Sequence, residues 1–157
     1  MTTRILFVCL GNICRSPTAE GVFRALAAEG GVDVEVDSAG TSAWHVGSPP
    51  DSRAMAEAAG RGIDLSGLRA RQAEPEDFER FDLIVGMDRS NVTRLEALRP
   101  AGNTTPVALF LGYAEGGLPT EVPDPYYEDN FPQVFDMLDA ASRGLVARIA
   151  AGQELAQ

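Results

Sequence analysis

The stretch "RILFVCLGNICRSPTAEGVF", Arg4 to Phe23, decides how this chain folds. It opens with a continuous apolar run, Arg4–Cys9, of the kind that forms a strand buried on both faces of a parallel sheet. A turn containing Gly11 and Asn12 follows, and both residue types tolerate left-handed backbone angles. A helix then begins. Ser16 suits its N-cap, Pro17 its first position, and Gly30 and Gly31 its end. Val22, Phe23 and Leu26 fall on one helical stripe.

The same alternation runs down the chain. "VEVDSA" (Val34–Ala39) reads as a second strand, and "GTSAWHVGSPP" as a loop by composition. A helix starts after Pro50 and runs through "DSRAMAEAAG"; "PEDFERF" is a short helix with an acidic start. "FDLIVGM" (Phe81–Met87) is a third buried strand, and "DRSNVTRLEAL" a helix with Asp88 near its beginning. "TPVALFL" is the fourth strand, and "FPQVFDMLDAASRGLVARIAAG" a long amphipathic helix. Strands alternating with helices predict an α/β fold with a parallel sheet between helical layers. Ligands in such sheets sit at the C-terminal ends of the strands. Cys9 ends the first one. No internal boundary interrupts the pattern, so residues 1–157 read as a single domain.

Composition narrows the chemistry. The chain has 157 residues and a net charge of −10, with no basic cluster, which argues against a nucleic-acid partner. It contains no Lys, so a Walker-type nucleotide loop and Schiff-base chemistry, pyridoxal phosphate included, are excluded. Its single His, His45, lies in the Gly/Ser/Pro-rich loop, a poor place for the base of a Ser-His-Asp triad. The two cysteines, Cys9 and Cys14, lack the usual zinc or redox C-x-x-C spacing, and no metal or cofactor is expected. No apolar run reaches the roughly 18 to 20 residues of a membrane helix, and residues 1–8 lack the features of a signal peptide. The chain therefore reads as cytoplasmic, without membrane insertion.

The turn after Cys9 has the parts of an anion site. A loop that curls at Gly11 and Asn12 aims backbone N–H groups inward, and the helix start adds further N–H groups and partial positive charge. Arg15 can donate two hydrogen bonds to two phosphate oxygens through its planar fork. The same field favours a nucleophilic thiolate at Cys9, and the Ser16 hydroxyl can hydrogen-bond that sulfur and help it leave later. The plainer alternative is that Cys9 is a core cysteine ending a strand.

At this point the chain resembles a known family. "VCLGNICRSPTAE" is similar to the phosphate loop of the low-molecular-weight protein-tyrosine phosphatases. "VDSAGTSAWHVGSPPDSRA" resembles their second strand and variable loop, "FDLIVGMDRSN" their third strand and following turn, and "PDPYY" (Pro123–Tyr127) their general-acid loop. The resemblance implies a doubly wound, four-stranded parallel sheet with helices on both faces, as in flavodoxin-like three-layer sandwiches. It implies metal-free hydrolysis of phosphotyrosine, or of small aryl phosphate esters, through a phosphocysteine. Cys9 would be the nucleophile, Arg15 the phosphate clamp and Asp124 the general acid and then base. Leu10, Gly11, Asn12, Ile13, Cys14 and Ser16 would form the binding loop.

In the same family Asn12 and Ser38 hold the loop's shape, Trp44 sets substrate preference, and Tyr126 and Tyr127 line the pocket. Without the resemblance, Asp124 before Pro125 reads as a turn residue, the tyrosines as loop anchors, Trp44 as partly buried and Ser38 as a strand-end hydroxyl. One departure stands out. Family members often carry His at the position of Leu68, bonded to the loop Asn and to residues matching Asp88 and Asn91. Leu68 cannot make those bonds, which leaves the loop less rigid or leaves Asp88 and Asn91 to other partners.

Three rivals share the loop. Thioredoxin-coupled arsenate reductases need further cysteines, and none follows Cys14. Arginine-phosphate phosphatases tend to have Thr where Ile13 stands. A phosphate-binding or phosphocysteine carrier module would need Cys9 and the loop but not Asp124.

Overall fold

The apolar run at the start of the chain is strand β1 (Thr3–Cys9), and it lies inside the sheet. The structure, a computed structural model, describes residues 1–157. β1 pairs in parallel with β2 (Val34–Gly40) on one side and with β3 (Leu83–Gly86) on the other; β3 pairs in parallel with β4 (Val107–Leu109). The order β2-β1-β3-β4 means that the chain steps one way from β1 to β2 and then back past β1 to β3. The loops leaving the C-terminal ends of β1 and β3 therefore diverge, and a crevice opens between them.

Side-chain alternation along β1 supplies both faces. Ile5, Phe7 and Cys9 point into a core with Phe23 and Ala27 of α1 (Arg15–Glu29) and Leu138 and Leu145 of α6 (Phe131–Ala150). Leu6 and Val8 point the other way, into a core with Phe78 of α3 (Asp77–Arg80) and Leu95 of α4 (Arg89–Leu98). Phe7 stacks at a tilt on Phe23 and Phe110, with ring centroids 5.4 and 5.0 Å apart. A strand apolar on both faces is what such a sandwich requires, which explains the unbroken run at the N-terminus. α2 (Ser52–Ala59) lies outside this sandwich, where Ala58 meets Val22, Leu65 and Phe135. No helix is long and apolar enough to cross a membrane.

The element ends differ from the sequence reading in ways that matter for the site. The N-cap of α1 is Cys14, not Ser16, and no side chain caps it. Ser16 lies inside the first turn with its hydroxyl turned toward Cys9 and Asn12. The third strand is shorter than Phe81–Met87: Phe81 closes α3, and Asp82 accepts from Arg4. β4 ends after Leu109 in a 3₁₀ turn over Phe110–Tyr113. A one-turn helix absent from the sequence reading, α5 (Pro125–Glu128), follows Asp124, which caps it by accepting from the Tyr126 N–H at 3.1 Å.

Candidate active site

Between Cys9 and Arg15 the backbone curls around a point above the end of β1. Asn12 takes the left-handed conformation at φ 57°, as its residue type allows. Its N–H is turned inward and donates to Cys9 Sγ at 3.3 Å. The amides of Gly11, Ile13 and Cys14 have no backbone acceptor, and the first turn of α1 is uncapped. These donors, with the helix N-terminus behind them, make a ready cradle for an anion. Two glycines permit the curl. A Cβ on Gly40 would stand 2.8 Å from the Leu10 carbonyl oxygen and 3.2 Å from the Asn12 nitrogen. A Cβ on Gly11 would stand 3.0 Å from the His45 ring.

Behind the loop, donors and acceptors follow in one direction. The Arg71 N–H donates to Asn12 Oδ1 at 3.0 Å, which fixes the amide's orientation. Asn12 Nδ2 then donates to Ser16 Oγ at 2.7 Å and to Ser38 Oγ at 2.9 Å. Ser38 donates to the buried carboxylate of Glu20 at 2.7 Å, and Glu20 also accepts from Arg24 at 2.7 Å. Ser16 accepts from Asn12, and its own hydroxyl has two neighbours to serve, Cys9 Sγ at 3.1 Å and the Ala39 carbonyl at 3.4 Å, of which the sulfur is nearer. The sulfur thus faces the Asn12 backbone donor, with the Ser16 hydroxyl beside it.

Arg15 is buried, with 3% of its side chain exposed. Its Nη1 donates to Asp88 Oδ2 at 2.8 Å and to the Val122 carbonyl at 2.9 Å. Its Nη2 faces Asp124 Oδ2 at 3.6 Å, beyond a hydrogen bond but within ion-pair range. Burial works to lower its pKa, but Cys9, Asp88 and Asp124 outweigh it and hold the guanidinium more firmly charged than usual. Cys14 is different. Burial first, then the charges of Asp51, Cys9 and Asp124, push its thiol well above the ordinary range, so it stays protonated.

The loop floors a cavity of about 270 Å³. Cys9, Leu10, Gly11, Ile13, Cys14 and Arg15 form its base; Trp44, Asp124, Tyr126 and Tyr127 form its mouth. Trp44 and Tyr127 are each 74% exposed, so they are rim residues and not core anchors. The tyrosine rings meet edge to face with centroids 5.1 Å apart.

Of the sequence candidates, Asn12, Ser16 and Ser38 stand behind the loop, not in the cavity wall. Asn91 does not reach the loop. It forms a capping box with Asp88 at the start of α4, where Asp88 Oδ1 accepts from the Asn91 N–H and Asn91 Oδ1 accepts from the Met87 and Asp88 N–H groups. That box leaves Asp88 Oδ2 for Arg15. Of the two outcomes open at Leu68, the structure shows other partners. Leu68 packs beside Val22, Leu65 and Phe135, the Arg71 amide supplies the Asn12 bond, and Arg15 is the other partner that Asp88 finds. His45, a poor triad base by its place in the loop, joins the cavity wall. Glu20, Arg71 and the Val122 carbonyl support the site without any sequence signal that marks them. A charged residue on a helix carries no local sign of burial, and a backbone carbonyl carries no sequence sign at all.

A doubly wound sheet that presents a sulfur at the floor of an amide-lined anion cradle, with a buried arginine beside it, defines a cysteine-dependent phosphatase. Comparison with known proteins agrees. The family model "Low molecular weight phosphotyrosine protein phosphatase" matches residues 4–155. The low molecular weight protein-tyrosine-phosphatase YfkJ of Bacillus subtilis is 40% identical over 153 residues, 96% of this chain and 98% of that protein. The low molecular weight protein-tyrosine-phosphatase of Streptomyces coelicolor is 44% identical over 156 residues, 95% and 94% of the two chains. The crystal structure of YfkJ superposes with a TM-score of 0.92, each chain 98% covered, at 38% identity. A protein tyrosine phosphatase from Entamoeba histolytica, crystallised with Hepes in the active site, superposes with a TM-score of 0.90 at 35% identity, covering 96% of this chain and 98% of that one. The chain belongs to the low-molecular-weight phosphotyrosine protein phosphatase family. It is an enzyme that hydrolyses phosphotyrosine by cysteine-based chemistry.

Proposed function

We propose that Cys9, Arg15 and Asp124 carry this hydrolysis in two steps, on phosphotyrosine in a protein or on a small aryl phosphate. The phosphate settles among the loop amides, and the free edge of the Arg15 fork takes two of its oxygens. Cys9 Sγ attacks phosphorus; the bond from phosphorus to the aryl oxygen breaks, and Asp124 delivers its proton to that oxygen. The phenol leaves along the aromatic mouth. Water then attacks the phosphocysteine, the Asp124 carboxylate takes the water's proton, and the P–S bond breaks to give orthophosphate and thiolate. Ser16 donates to the sulfur as its charge returns.

The observation that carries this reading is the setting of Cys9: the Asn12 N–H donates to its sulfur at 3.3 Å, the Ser16 hydroxyl lies 3.1 Å from it, and the Asp124 carboxylate stands across the cavity beside Arg15. The apolar Ile13 in the base of the cavity favours a phenyl ester over a guanidinium phosphate. The proposed compartment is the cytoplasm.

The test is hydrolysis of an aryl phosphate in excess chelator. Wild type turns over, Cys9→Ser does not, and Asp124→Asn loses on the order of a hundredfold or more. A carrier module would keep its slow turnover in Asp124→Asn, and an arginine-phosphate phosphatase would prefer phosphoarginine to phosphotyrosine; either result would reject the assignment.

A further inference from the structure

The Asp124 loop is poorly fixed by its own backbone. α5 is one turn long, and so short a helix has no stability of its own. Residues 124–129 make no backbone hydrogen bond to any other element; the Asp129 N–H returns to Pro125 within the same turn. A proton donor must nevertheless be held within hydrogen-bond reach of the leaving oxygen.

Two side chains span the gap: Arg15 holds the near end of the loop at the Val122 carbonyl and faces Asp124, and Arg53 holds the far end. Arg53, in the first turn of α2, places Nε 3.1 Å from Asp51 Oδ1 and Nη2 3.1 Å from Asp51 Oδ2, a two-point fork. The backbone N–H of Asp51 in turn donates to the Ile13 carbonyl of the phosphate loop at 2.8 Å. On its far side Arg53 Nη2 donates to the Tyr126 carbonyl at 3.3 Å, and Nη1 reaches Asp129 Oδ1 at 3.5 Å. The guanidinium carbon lies 5.5 Å from the Tyr126 ring centroid and 4.8 Å from that of Phe131. Arg53 thus joins the loop that holds phosphate to the loop that holds the proton donor. Lys could carry the charge but could not make the fork and the onward bonds together.

We infer that Arg53 is a positioning residue for proton delivery: it sets where Asp124 stands relative to the phosphate loop. The inference rests on Asp124 being the general acid. Arg53 has 40% of its side chain exposed, and when its side chain is removed the Asp51 carboxylate keeps the backbone N–H of residue 53, 2.8 Å away, as a donor. Its replacement should therefore leave the phosphate loop able to bind anions while the proton arrives badly.

The experiment is kcat/KM over a series of aryl phosphates from dinitrophenyl, whose phenolate leaves unaided, to phenyl, whose oxygen needs the proton. Arg53→Ala should lose on the order of tenfold on phenyl phosphate and less than about threefold on dinitrophenyl phosphate, which steepens the dependence on leaving group. Inhibition by inorganic phosphate should stay within about twofold of wild type, and Arg53→Lys should give an intermediate slope. In an Asp124→Asn background, where the slope is already steep, Arg53→Ala should add nothing to it. An equal loss across the series, or weakened phosphate inhibition in proportion, overturns the inference and makes Arg53 a general structural support. If Asp124→Asn alone leaves the slope unchanged, the general-acid assignment fails first and the role of Arg53 falls with it. Should Arg53→Ala fold poorly by circular dichroism, Arg53→Gln, which keeps a reach toward the Tyr126 carbonyl, carries the same test.

Discussion

Asn12 concentrates two demands in one residue: a backbone at φ 57° and a side chain that orients three neighbours. The two can be separated. Asn12→Gly keeps the backbone and loses the bonds; Asn12→Ala loses both. The alanine variant should be less stable than the glycine variant by about 1 kcal/mol, read from denaturant unfolding. Equal stabilities would mean that the left-handed turn is not a constraint. Ser16→Ala removes the hydroxyl donor to Cys9. A hydrogen bond to a charged group is worth about 1.5–3 kcal/mol, so turnover should fall on the order of ten- to a hundredfold, with phosphate inhibition little changed. The two cysteines, both buried, should also behave unlike each other. Both line the cavity, but the Cys9 sulfur accepts from the Asn12 N–H, whereas burial and three nearby negative charges keep the Cys14 thiol protonated. Iodoacetamide on the native protein should label Cys9 and leave Cys14 until denaturant is added, with phosphate protecting Cys9. Equal labelling would contradict the contrast.

Among the elements, β1 bears most. Phe7 is fully buried between Phe23 and Phe110, and Phe7→Ala should cost about 3–5 kcal/mol. The start of α2 adds a pH dependence. Burial works to raise the Asp51 carboxyl, but hydrogen bonds from the Arg53 side chain and backbone win and hold it below the usual carboxylate range. A lowered carboxyl stabilises the fold above its unfolded value, about 3.9, and that contribution is lost as pH falls through the lower folded value. Asp51→Asn should therefore flatten the acid limb of the melting-temperature profile; an unchanged limb would remove Asp51 from the acid response. The elements also mark where sequence was legible. β1, α1 and α6 could be read because runs and stripes of apolar residues report burial directly. The Cys9–Arg15 turn could be read because Gly, Asn and Arg are there for reasons of geometry and charge. α5 could not, since a single turn has no periodicity. The caps were read in part: Asp88 caps α4 as its position implies, while Ser16, the stronger cap by type, has its hydroxyl on the sulfur instead.

Over the whole molecule, the −10 charge opposes the approach of anionic substrates, while Arg15 attracts the phosphate only at the cavity floor. A phosphotyrosine peptide with acidic flanks should thus have a lower kcat/KM at low salt than one with basic flanks, and added salt should narrow the gap. A gap that does not respond to salt would assign the preference to direct contacts at the rim. The general architecture was open to reading because alternating strands and helices admit few topologies. Asn12 and Ser38 were legible as holders of the loop through the family resemblance, but the Glu20 end of their relay and the Arg53 bridge were not, because the residue types of Glu20 and Arg53 alone suggest surface charge. The most direct measurement is phosphorus NMR of enzyme mixed with dinitrophenyl phosphate, whose phenolate leaves without a proton, and quenched in denaturant, using Asp124→Asn to slow the second step. A phosphorothioester signal that disappears in Cys9→Ser is the predicted result; phosphate transferred to no sulfur, or to one other than Cys9, would contradict it.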